Sequence, residues 1–271
     1  MALHYYFSPG LHNLIVFYKS SPIGWQVAED EDGTTVGYYI YNQLPVEGIR
    51  FGYQLLVSRK HTGKGITNMF NMPKKDGVPV IANVTPDTIQ RYLIDSWYEK
   101  LLCYVGAVFP GRGFPVHPPK NKLNIEEVTD AHLDAIYSYD LGLLGFDRKQ
   151  FLRLWLNKDE FGKSVCAVKD GIILGYGTLK IAEKYTMIAP VYADSDEVAF
   201  AILYELLHDY DMSLTLSLIF PATNAFMCHF VKNLGLQLFT SEMRITRGNC
   251  EAVVKNLQMK KVYALHEFWP I

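Results

Sequence analysis

The chain has 271 residues and a mass of 30.9 kDa, a length that allows one large domain or two ordinary ones. Hydrophobic residues make up 49% and charged residues 20% of the sequence, which is the composition of a globular protein and excludes a disordered one. The formal net charge of -2 provides no overall basic field, so we expect neither nucleic acid nor a membrane as a partner.

A β-hairpin is the first element that the sequence predicts. An apolar stretch over residues 24–28 is followed by Asp32 and Gly33 and then by a strand-like run over residues 36–41. Asp-Gly between two such runs indicates a hairpin, because the turn needs a residue that tolerates positive φ. Another strand is expected over residues 51–57, and then a short helical segment over residues 66–71, which Pro73 should end.

The same pattern recurs in the second half at an offset of 138 residues (170 − 32). Residues 32–38 read DGTTVGY and residues 170–176 read DGIILGY, with four identities in seven positions. A strand over residues 186–192 and a helix over residues 194–210 follow, in which Asp194 is the expected N-cap and Glu197 completes a capping box. We infer that the chain contains an internal repeat.

A further strand over residues 213–220 precedes a helix that Pro221 should start and Gly235 should end. Between the halves, residues 109–120 contain four prolines and two glycines, which is typical of a linker. We therefore expect an N-terminal domain over residues 1–109, a linker over residues 110–121 and a C-terminal domain over residues 122–271.

The cysteines and the N-terminus indicate a cytoplasmic protein without a metal. Cys103, Cys166, Cys228 and Cys250 lie 63, 62 and 22 residues apart, with no CxxC pair and no histidine spacing that would suggest zinc. We expect four reduced thiols in the core. No run of 18 apolar residues occurs, and residues 1–10 lack a basic region followed by an apolar block.

The segment with the clearest chemistry is VSRKHTGKGIT at residues 57–67. A glycine-rich turn between a strand and a helix lets backbone N–H groups approach a phosphate, and the helix N-terminus adds a partial positive charge. A P-loop would need GxxxxGK[ST], and a dinucleotide loop would need glycine at Asn68. The segment therefore predicts an anion site of another type.

This loop resembles the acyl-CoA loop of the GNAT N-acetyltransferases, in which a strand ending in Val is followed by Arg/Gln-x-x-Gly-x-Gly/Ala. Gly63, Lys64, Gly65 and Ile66 fit that spacing, whereas Thr62 and Thr67 depart from it. The resemblance implies acetyl-CoA, or another acyl-CoA, as co-substrate. It implies the following cofactor-binding residues: Leu55, Leu56, Val57, Thr62, Gly63, Lys64, Gly65, Ile66 and Thr67.

The second half carries a separate resemblance, to the YitH-like C-terminal acetyltransferase domain. The residues that carry it lie in DLGLLGFDR at 140–148, FLRLWL at 151–156, GYG at 175–177, APVYAD at 189–194 and NLGL at 233–236, with Met243, Arg244, Arg247 and Gly248. Together the halves resemble a tandem GNAT protein. The implied fold class is α+β, with two GNAT-like domains that each contain a mixed, mostly antiparallel, twisted sheet flanked by helices.

The charges at the two helix starts indicate which half binds the cofactor. The first helix begins with Thr-Gly-Lys-Gly-Ile-Thr and has no carboxylate, so its N–H groups can face a pyrophosphate. The second begins with Ala-Asp-Ser-Asp-Glu at residues 193–197, whose carboxylates would repel an anion. We expect the cofactor in the first half and a degenerate second half, whose acidic residues, with Asp140 and Asp147, could favour a cationic amine.

The resemblance implies direct acyl transfer, with a backbone N–H near Leu56 or Val57 stabilising the oxyanion. Tyr92 and Tyr98 are alternative general acids, and Glu47 is a candidate base because Gln54 stands where many relatives have glutamate. His61 and Cys103 are weaker candidates for base and nucleophile.

Three hypotheses follow. The first is an acyl-CoA-dependent N-acyltransferase acting on a small-molecule amine or an amino acid, for which a homodimer is compatible with the sequence. The second is a non-catalytic tandem module that binds CoA or a protein partner. The third is a two-domain protein whose loop binds another phosphorylated ligand.

Overall fold

A computed structural model describes residues 10–21, 24–44, 48–70, 78–84, 100–110, 118–119, 123–157, 162–181, 185–210, 215–235, 237–250 and 258–265. The described residues of the first half form one α-helix and five strands: α1 (Gly10–Ser20), β1 (Trp25–Glu29), β2 (Thr35–Gln43), β3 (Arg50–Val57), β4 (Val80–Val84) and β5 (Lys100–Pro110).

The second half contributes seven strands and four α-helices in the described part of the chain. They are β6 (Asn124–Glu127), α2 (Asp130–Leu144), α3 (Lys149–Trp155), β7 (Gly162–Lys169), β8 (Ile172–Ile181), β9 (Thr186–Ala193), α4 (Asp196–Leu207), β10 (Thr215–Pro221), α5 (Ala225–Asn233), β11 (Gln237–Arg247) and β12 (Val262–Ala264).

The strands form one continuous sheet in the order β1-β2-β3-β4-β11-β5-β10-β9-β8-β7-β6, and β12 pairs with β9. Two neighbouring pairs, β3–β4 and β9–β10, are parallel, and the others are antiparallel. The predicted fold class, α+β with mixed, mostly antiparallel sheets flanked by helices, is confirmed.

The strand order reflects the internal repeat. If β1 to β5 correspond to β7 to β11, the order reads the same from either end, apart from β6 and β12. The two halves exchange their last strands, because β11 pairs with β4 of the first half and β5 pairs with β10 of the second. β5 and β11 pair with each other at the centre of the sheet.

Both predicted hairpins form, with different turns. In the second half, Asp170 and Gly171 have φ values of 51° and 77° between Lys169 and Ile172, as a tight two-residue turn requires. In the first half the turn spans residues 30–34, and the Asp30 carboxylate accepts hydrogen bonds from the backbone N–H groups of Asp32 and Thr34. The first turn thus contains five residues and the second contains two.

Two helix starts differ from the predictions. Ser195, not Asp194, caps α4, because its hydroxyl accepts from the Val198 N–H at 3.3 Å. Asn224, not Pro221, starts α5: Pro221 is the last residue of β10, and the Asn224 side chain accepts from the Met227 N–H. The predicted end of α5 at Gly235, with φ 67°, is confirmed.

The buried side chains form three clusters. One lies between α1, α2 and α3 and joins the halves, since Phe17 stacks on Phe151 and packs against Trp155. Another lies beneath α4 and α5, and a smaller one includes Tyr39, Tyr41 and Phe70 of the first half.

The expectation of four core thiols is only partly met. Cys166 and Cys250 are buried free thiols, whereas Cys228 is an exposed free thiol on α5, so the prediction is wrong for Cys228. The side chain of Cys103 lies outside the described residues.

Candidate functional site

A gap opens in the sheet between β3 and β4. The two strands pair in parallel over only three positions, Arg50–Gly52 with Val80–Ala82. Beyond them, none of the described strands pairs with β3 on that side. At the same point β3 carries a β-bulge, since Gly52 and Gln54 face Tyr41 and Ile40 and leave Tyr53 as the extra residue. The bulge and the short parallel pairing together separate the strand ends.

Leu55 and Val57 point their backbone polar groups into this gap. Ser58 donates its N–H to the Val36 carbonyl of β2 at 2.8 Å, and the two sides of a strand alternate along the chain. Leu56 therefore bonds toward β2, as the position of its carbonyl oxygen beside Gly37 also indicates. Of the three predicted strand residues, Leu55 and Val57 are the ones that offer N–H and C=O groups to a ligand.

The glycine-rich segment after β3 is a loop with two one-turn 3₁₀ helices, at Arg59–His61 and Ile66–Asn68. Gly63 and Gly65 have φ values of 80° and 79°, a conformation that side chains with a Cβ rarely adopt. The predicted helical segment over residues 66–71 is thus a single 3₁₀ turn within the described residues. Asn71 and Pro73 lie outside them.

The loop has backbone donors without acceptors. In the described part of the chain, nothing accepts a hydrogen bond from the N–H groups of Gly63, Gly65, Ile66 or Thr67, whereas those of His61, Thr62, Lys64 and Asn68 bond to loop carbonyls. Residues 58–70 contain no carboxylate, and Arg59, Lys60 and Lys64 are exposed. This combination of unused donors and positive charge suits an anion.

The loop covers one face of the sheet. Ile66 and Phe70 pack with Tyr39 and Leu55, so by alternation Val27, Tyr38 and Leu56 lie on the opposite face. These three residues are neighbours across β1, β2 and β3. Val27 is 60% exposed.

That opposite face is also the face of α1, because Tyr18 of α1 meets Trp25 of β1 edge to face at 5.7 Å. Burial raises the pKa of Tyr38 above its ordinary value, so its hydroxyl stays neutral at physiological pH. Val27, Tyr38 and Leu56 therefore bring no charge to this face.

The predicted site residues fall into two groups. The nine cofactor-binding candidates lie together, at the end of β3 and in the glycine loop that follows it. The catalytic candidates Glu47, Tyr92 and Tyr98 lie outside the described residues, as does the side chain of Gln54. His61 hydrogen-bonds through Nδ1 to the Ser58 hydroxyl at 2.7 Å, so this ring closes the first 3₁₀ turn of the loop.

In the second half, the turn that corresponds to the glycine loop lies between β9 and α4 and is short and acidic. Asp194 accepts from Lys261 Nζ at 2.9 Å and from the Tyr139 hydroxyl at 3.2 Å. Asp196 accepts from the Tyr263 hydroxyl at 2.7 Å. Carboxylates of the chain itself therefore occupy the start of α4. Burial and these carboxylates raise the pKa values of Tyr139 and Tyr263 above the ordinary tyrosine range.

Asp140 of α2 is not available to bind a cationic amine. Arg148 binds Asp140 through two hydrogen bonds, from Nε at 2.8 Å and from Nη2 at 2.6 Å, and the Tyr176 hydroxyl also donates to Asp140. Arg148 and Asp140 are 4% and 1% exposed. The Asp140 charge is thus neutralised inside the core, and Asp147 accepts from the Lys149 N–H at the start of α3.

Sequence reasoning missed this buried cluster, although its members stand in the motifs of the second half. Tyr192 completes it, with the Arg148 guanidinium 5.5 Å from its ring centre. Burial raises the pKa of Tyr192 to about 12, so its hydroxyl remains neutral. The motif residues Asp140, Arg148, Tyr176 and Tyr192 therefore act as a structural polar core.

The described residues contain no group of three or more His, Cys, Asp or Glu side chains that could hold a metal ion. They also contain no helix that is both long and apolar enough to cross a membrane.

Comparison with known proteins finds a family-model match within the second half. Residues 136–264 match the model of the acetyltransferase (GNAT) domain. An uncharacterized protein of Caenorhabditis elegans is 22% identical over 245 residues, which cover 80% of this chain and 77% of that protein.

Solved structures extend the likeness to the first half. A protein from Pyrococcus horikoshii described as an acetyltransferase superposes with a TM-score of 0.72 at 18% identity, over 97% of this chain and 88% of that one. A tandem GNAT protein from the clavulanic acid biosynthesis pathway superposes with a TM-score of 0.59 at 14% identity, over 91% of both chains. At these identities the likeness concerns the fold.

Proposed function

We propose, from the match of residues 136–264 to the acetyltransferase (GNAT) domain and from the likeness of the fold to a tandem GNAT protein, that this chain is an acyl-CoA-dependent N-acyltransferase. The donor is acetyl-CoA in the first instance, and the acceptor is the amine of a small molecule or an amino acid. The observation that carries the proposal is the gap between β3 and β4, which leads directly into the glycine loop.

The two parts of this site suit the two parts of acyl-CoA. The pantetheine arm has amide groups, which can pair, as an added strand would, with the backbone groups of Leu55 and Val57 that no described strand pairs with. The pyrophosphate carries negative charge, which the N–H groups of Gly63, Gly65 and Ile66 can bind, since no described residue accepts from them. Arg59, Lys60 and Lys64 add favourable charge around that position.

In the proposed reaction the neutral amine nitrogen attacks the thioester carbonyl carbon, and the C–S bond breaks as the new C–N bond is completed. The N–H of Leu55 or Val57 stabilises the oxygen that becomes negative. The amine proton passes to a base, for which Glu47 is the candidate. The departing CoA thiolate takes a proton from Tyr92 or Tyr98.

The acceptor approaches from the face of α1 in this proposal, since the loop covers the other face. Leu56 lies beside the gap on that face, with Tyr38 and Val27 next to it across β2 and β1. An acceptor with an apolar or aromatic body would bury surface there. Asp140 takes no part, because Arg148 neutralises it.

Ligand binding tests the site with a matched pair of variants. Gly63 and Gly33 have φ values of 80° and 76°, and a Cβ at either would meet nothing within 4 Å. Gly63→Glu and Gly33→Glu thus introduce the same strain and the same charge, one in the loop and one in the hairpin. We expect CoA and acetyl-CoA to raise the melting temperature of the wild type and of Gly33→Glu, and not that of Gly63→Glu.

Turnover tests the chemistry. Acetyl-CoA with a panel of amines and amino acids should release CoA, measured by mass spectrometry because the exposed Cys228 would react with a thiol reagent. The double variant Tyr92→Phe/Tyr98→Phe should lower kcat by about 100-fold or more if either tyrosine is the acid. Absence of a melting shift at millimolar CoA would overturn the proposal.

One observation favours the second candidate function, a CoA-binding module without catalysis. The segment after the glycine loop is a single 3₁₀ turn in the described residues, which offers little surface to cover a nucleotide. A melting shift with CoA, but no CoA release with any amine of the panel, would select this alternative.

A further inference from the structure

The second half has the same gap as the first. β9 and β10 pair in parallel over three positions, Thr186–Ile188 with Leu216–Leu218, and then diverge. β9 also carries a bulge, because Ile188 and Val191 face Leu179 and Gly177 and leave one extra residue on β9. Both features match those of β3 and β4.

In the second half this gap is filled by the chain itself. Strand β12 enters it and pairs antiparallel with β9, Val262 with Tyr192 and Ala264 with Val191. On the other side, Leu265 donates its N–H to the Ile219 carbonyl of β10 at 2.8 Å. β12 thus satisfies backbone groups of both diverging strands, as an added strand does in peptide-binding grooves.

The side chains of β12 are as buried as the core. Val262 and Ala264 are 0% exposed, and Tyr263 and Leu265 are 2% exposed. Val262 and Leu265 pack into the cluster between α2 and α3, whereas Tyr263 and Ala264 pack under α4. Removing this strand would expose both clusters to water, and the free energy gained by burying several side chains would be lost.

Polar groups attach β12 to both sides of the gap. Asn224 Nδ2 donates to the Val262 carbonyl at 2.9 Å, and the Tyr263 hydroxyl donates to Asp196 at 2.7 Å. Lys261 bonds to Asp194 at 2.9 Å. Asp194 and Asp196 stand where the first half has its glycine loop, so the chain occupies the positions of both the arm and the pyrophosphate.

We propose that β12 is a built-in occupant of the second acyl-CoA cleft, which closes that cleft permanently and limits each chain to one acyl-CoA, in the first half. The inference that the remaining site binds acyl-CoA rests on the proposed function. The closure itself rests on β12 alone. To enter the second cleft, acyl-CoA would have to break the pairing of β12 with β9 and the four further bonds made by Leu265, Val262, Tyr263 and Lys261. It would also expose four buried side chains.

Two measurements on the full chain separate these claims. Native mass spectrometry with increasing CoA should show one CoA per chain for the wild type and for Gly33→Glu, and none for Gly63→Glu. Hydrogen exchange of the peptide covering residues 258–265 should be slow in the free protein and equally slow at saturating CoA.

Each outcome bears on one claim. Two CoA per chain, rapid exchange of residues 258–265 in the free protein, or faster exchange of them at saturating CoA would each overturn the closure. If the Gly63→Glu variant still bound one CoA, that CoA would lie in the second half, which would also overturn the inference. No bound CoA together with slow exchange would refute the proposed function and leave the closure standing.

The Tyr263→Phe variant tests the attachment. It removes only the hydroxyl that donates to Asp196 and keeps the buried ring. We expect exchange of residues 258–265 to rise several-fold, with one CoA still bound. Unchanged exchange in this variant would show that Asp196 does not hold β12, against the proposal.

Discussion

Arg148 and Asp140 form a buried pair whose members depend on each other. Replacing one member leaves the other charge without its partner in the core, which costs about 3–5 kcal/mol. We therefore expect Arg148→Met to lower the free energy of unfolding by about that amount, measured by urea titration.

Lys149 supplies the matched control. Its ion pair with Asp134, at 3.2 Å, joins side chains that are 57% and 90% exposed. Lys149→Met removes the same type of charge one residue along the chain, and its expected cost is below about 1 kcal/mol. Equal losses for the two variants would contradict the role assigned to the buried pair.

Cys166 provides a pH prediction at the same scale. Burial raises the pKa of its thiol to about 11, from an ordinary value of 9.0. Between these values the unfolded chain releases this proton and the folded chain keeps it, so the unfolding free energy falls as pH rises from 9 to 11.

The Cys166→Ala variant isolates this contribution. We expect the unfolding free energy of this variant to decline less steeply between pH 9 and pH 11 than that of the wild type. The two slopes should differ by up to the value for one proton released on unfolding, and urea titrations at each pH measure them. A decline of the same slope in both proteins would assign the effect to other groups.

Individual residues could be predicted well where their conformation is set locally. Gly63 and Gly65 adopt the positive φ that the glycine loop implied, and Asp170 with Gly171 forms the predicted turn. The partnership of Asp140 with Tyr176, 36 residues away, has no local signature. It was therefore read from the sequence as a charge available to a ligand.

At the scale of elements, Asn224 connects a helix and a strand. Its Oδ1 caps α5 and its Nδ2 donates to the Val262 carbonyl of β12. Asn224→Ser keeps a capping acceptor and loses the donor, so we expect it to cost about 1–3 kcal/mol through the unsatisfied carbonyl.

Asn224→Ala loses the cap as well, and we expect about 1 kcal/mol more. Urea titration measures both variants. If Asn224→Ser were as stable as the wild type, the bond to Val262 would contribute nothing to holding β12.

The start of α4 shows why a sequence predicts the presence of a helix better than the residue at which the helix begins. Asp194, Ser195 and Asp196 can all cap a helix, so the sequence alone does not choose among them. The choice depends on Lys261, which lies 67 residues further on and binds Asp194 outside the helix. The helix and three residues of its buried face, Val198, Ile202 and Leu206, were predicted correctly, whereas the predicted end at Tyr210 lies three residues beyond the observed end at Leu207.

For the whole molecule, the exchange of β5 and β11 predicts cooperative unfolding. Neither half has a complete sheet without a strand of the other, and Phe17 of the first half packs on Phe151 and Trp155 of the second. We expect a single calorimetric transition in which the calorimetric and van't Hoff enthalpies agree. Two resolved transitions would show that the halves unfold separately.

The repeat could be read from the sequence because it lies in local patterns, but the exchange could not. Periodicity identifies strands and says little about which distant strand each one joins. The same limit applies to β12, whose three residues carry no signal of the cleft they fill. The predicted domain division at residues 110–121 followed composition, whereas the sheet runs on through β5 as far as Pro110.

The order in which the strands are made gives the exchanged sheet a consequence for synthesis. β4 borders β11, which ends at Arg247, so the edge of β4 that faces β11 stays unpaired until β11 has left the ribosome. The first half alone would expose that edge, a surface on which nascent chains aggregate. The first half therefore depends on synthesis of the second half to cover its exposed sheet edge.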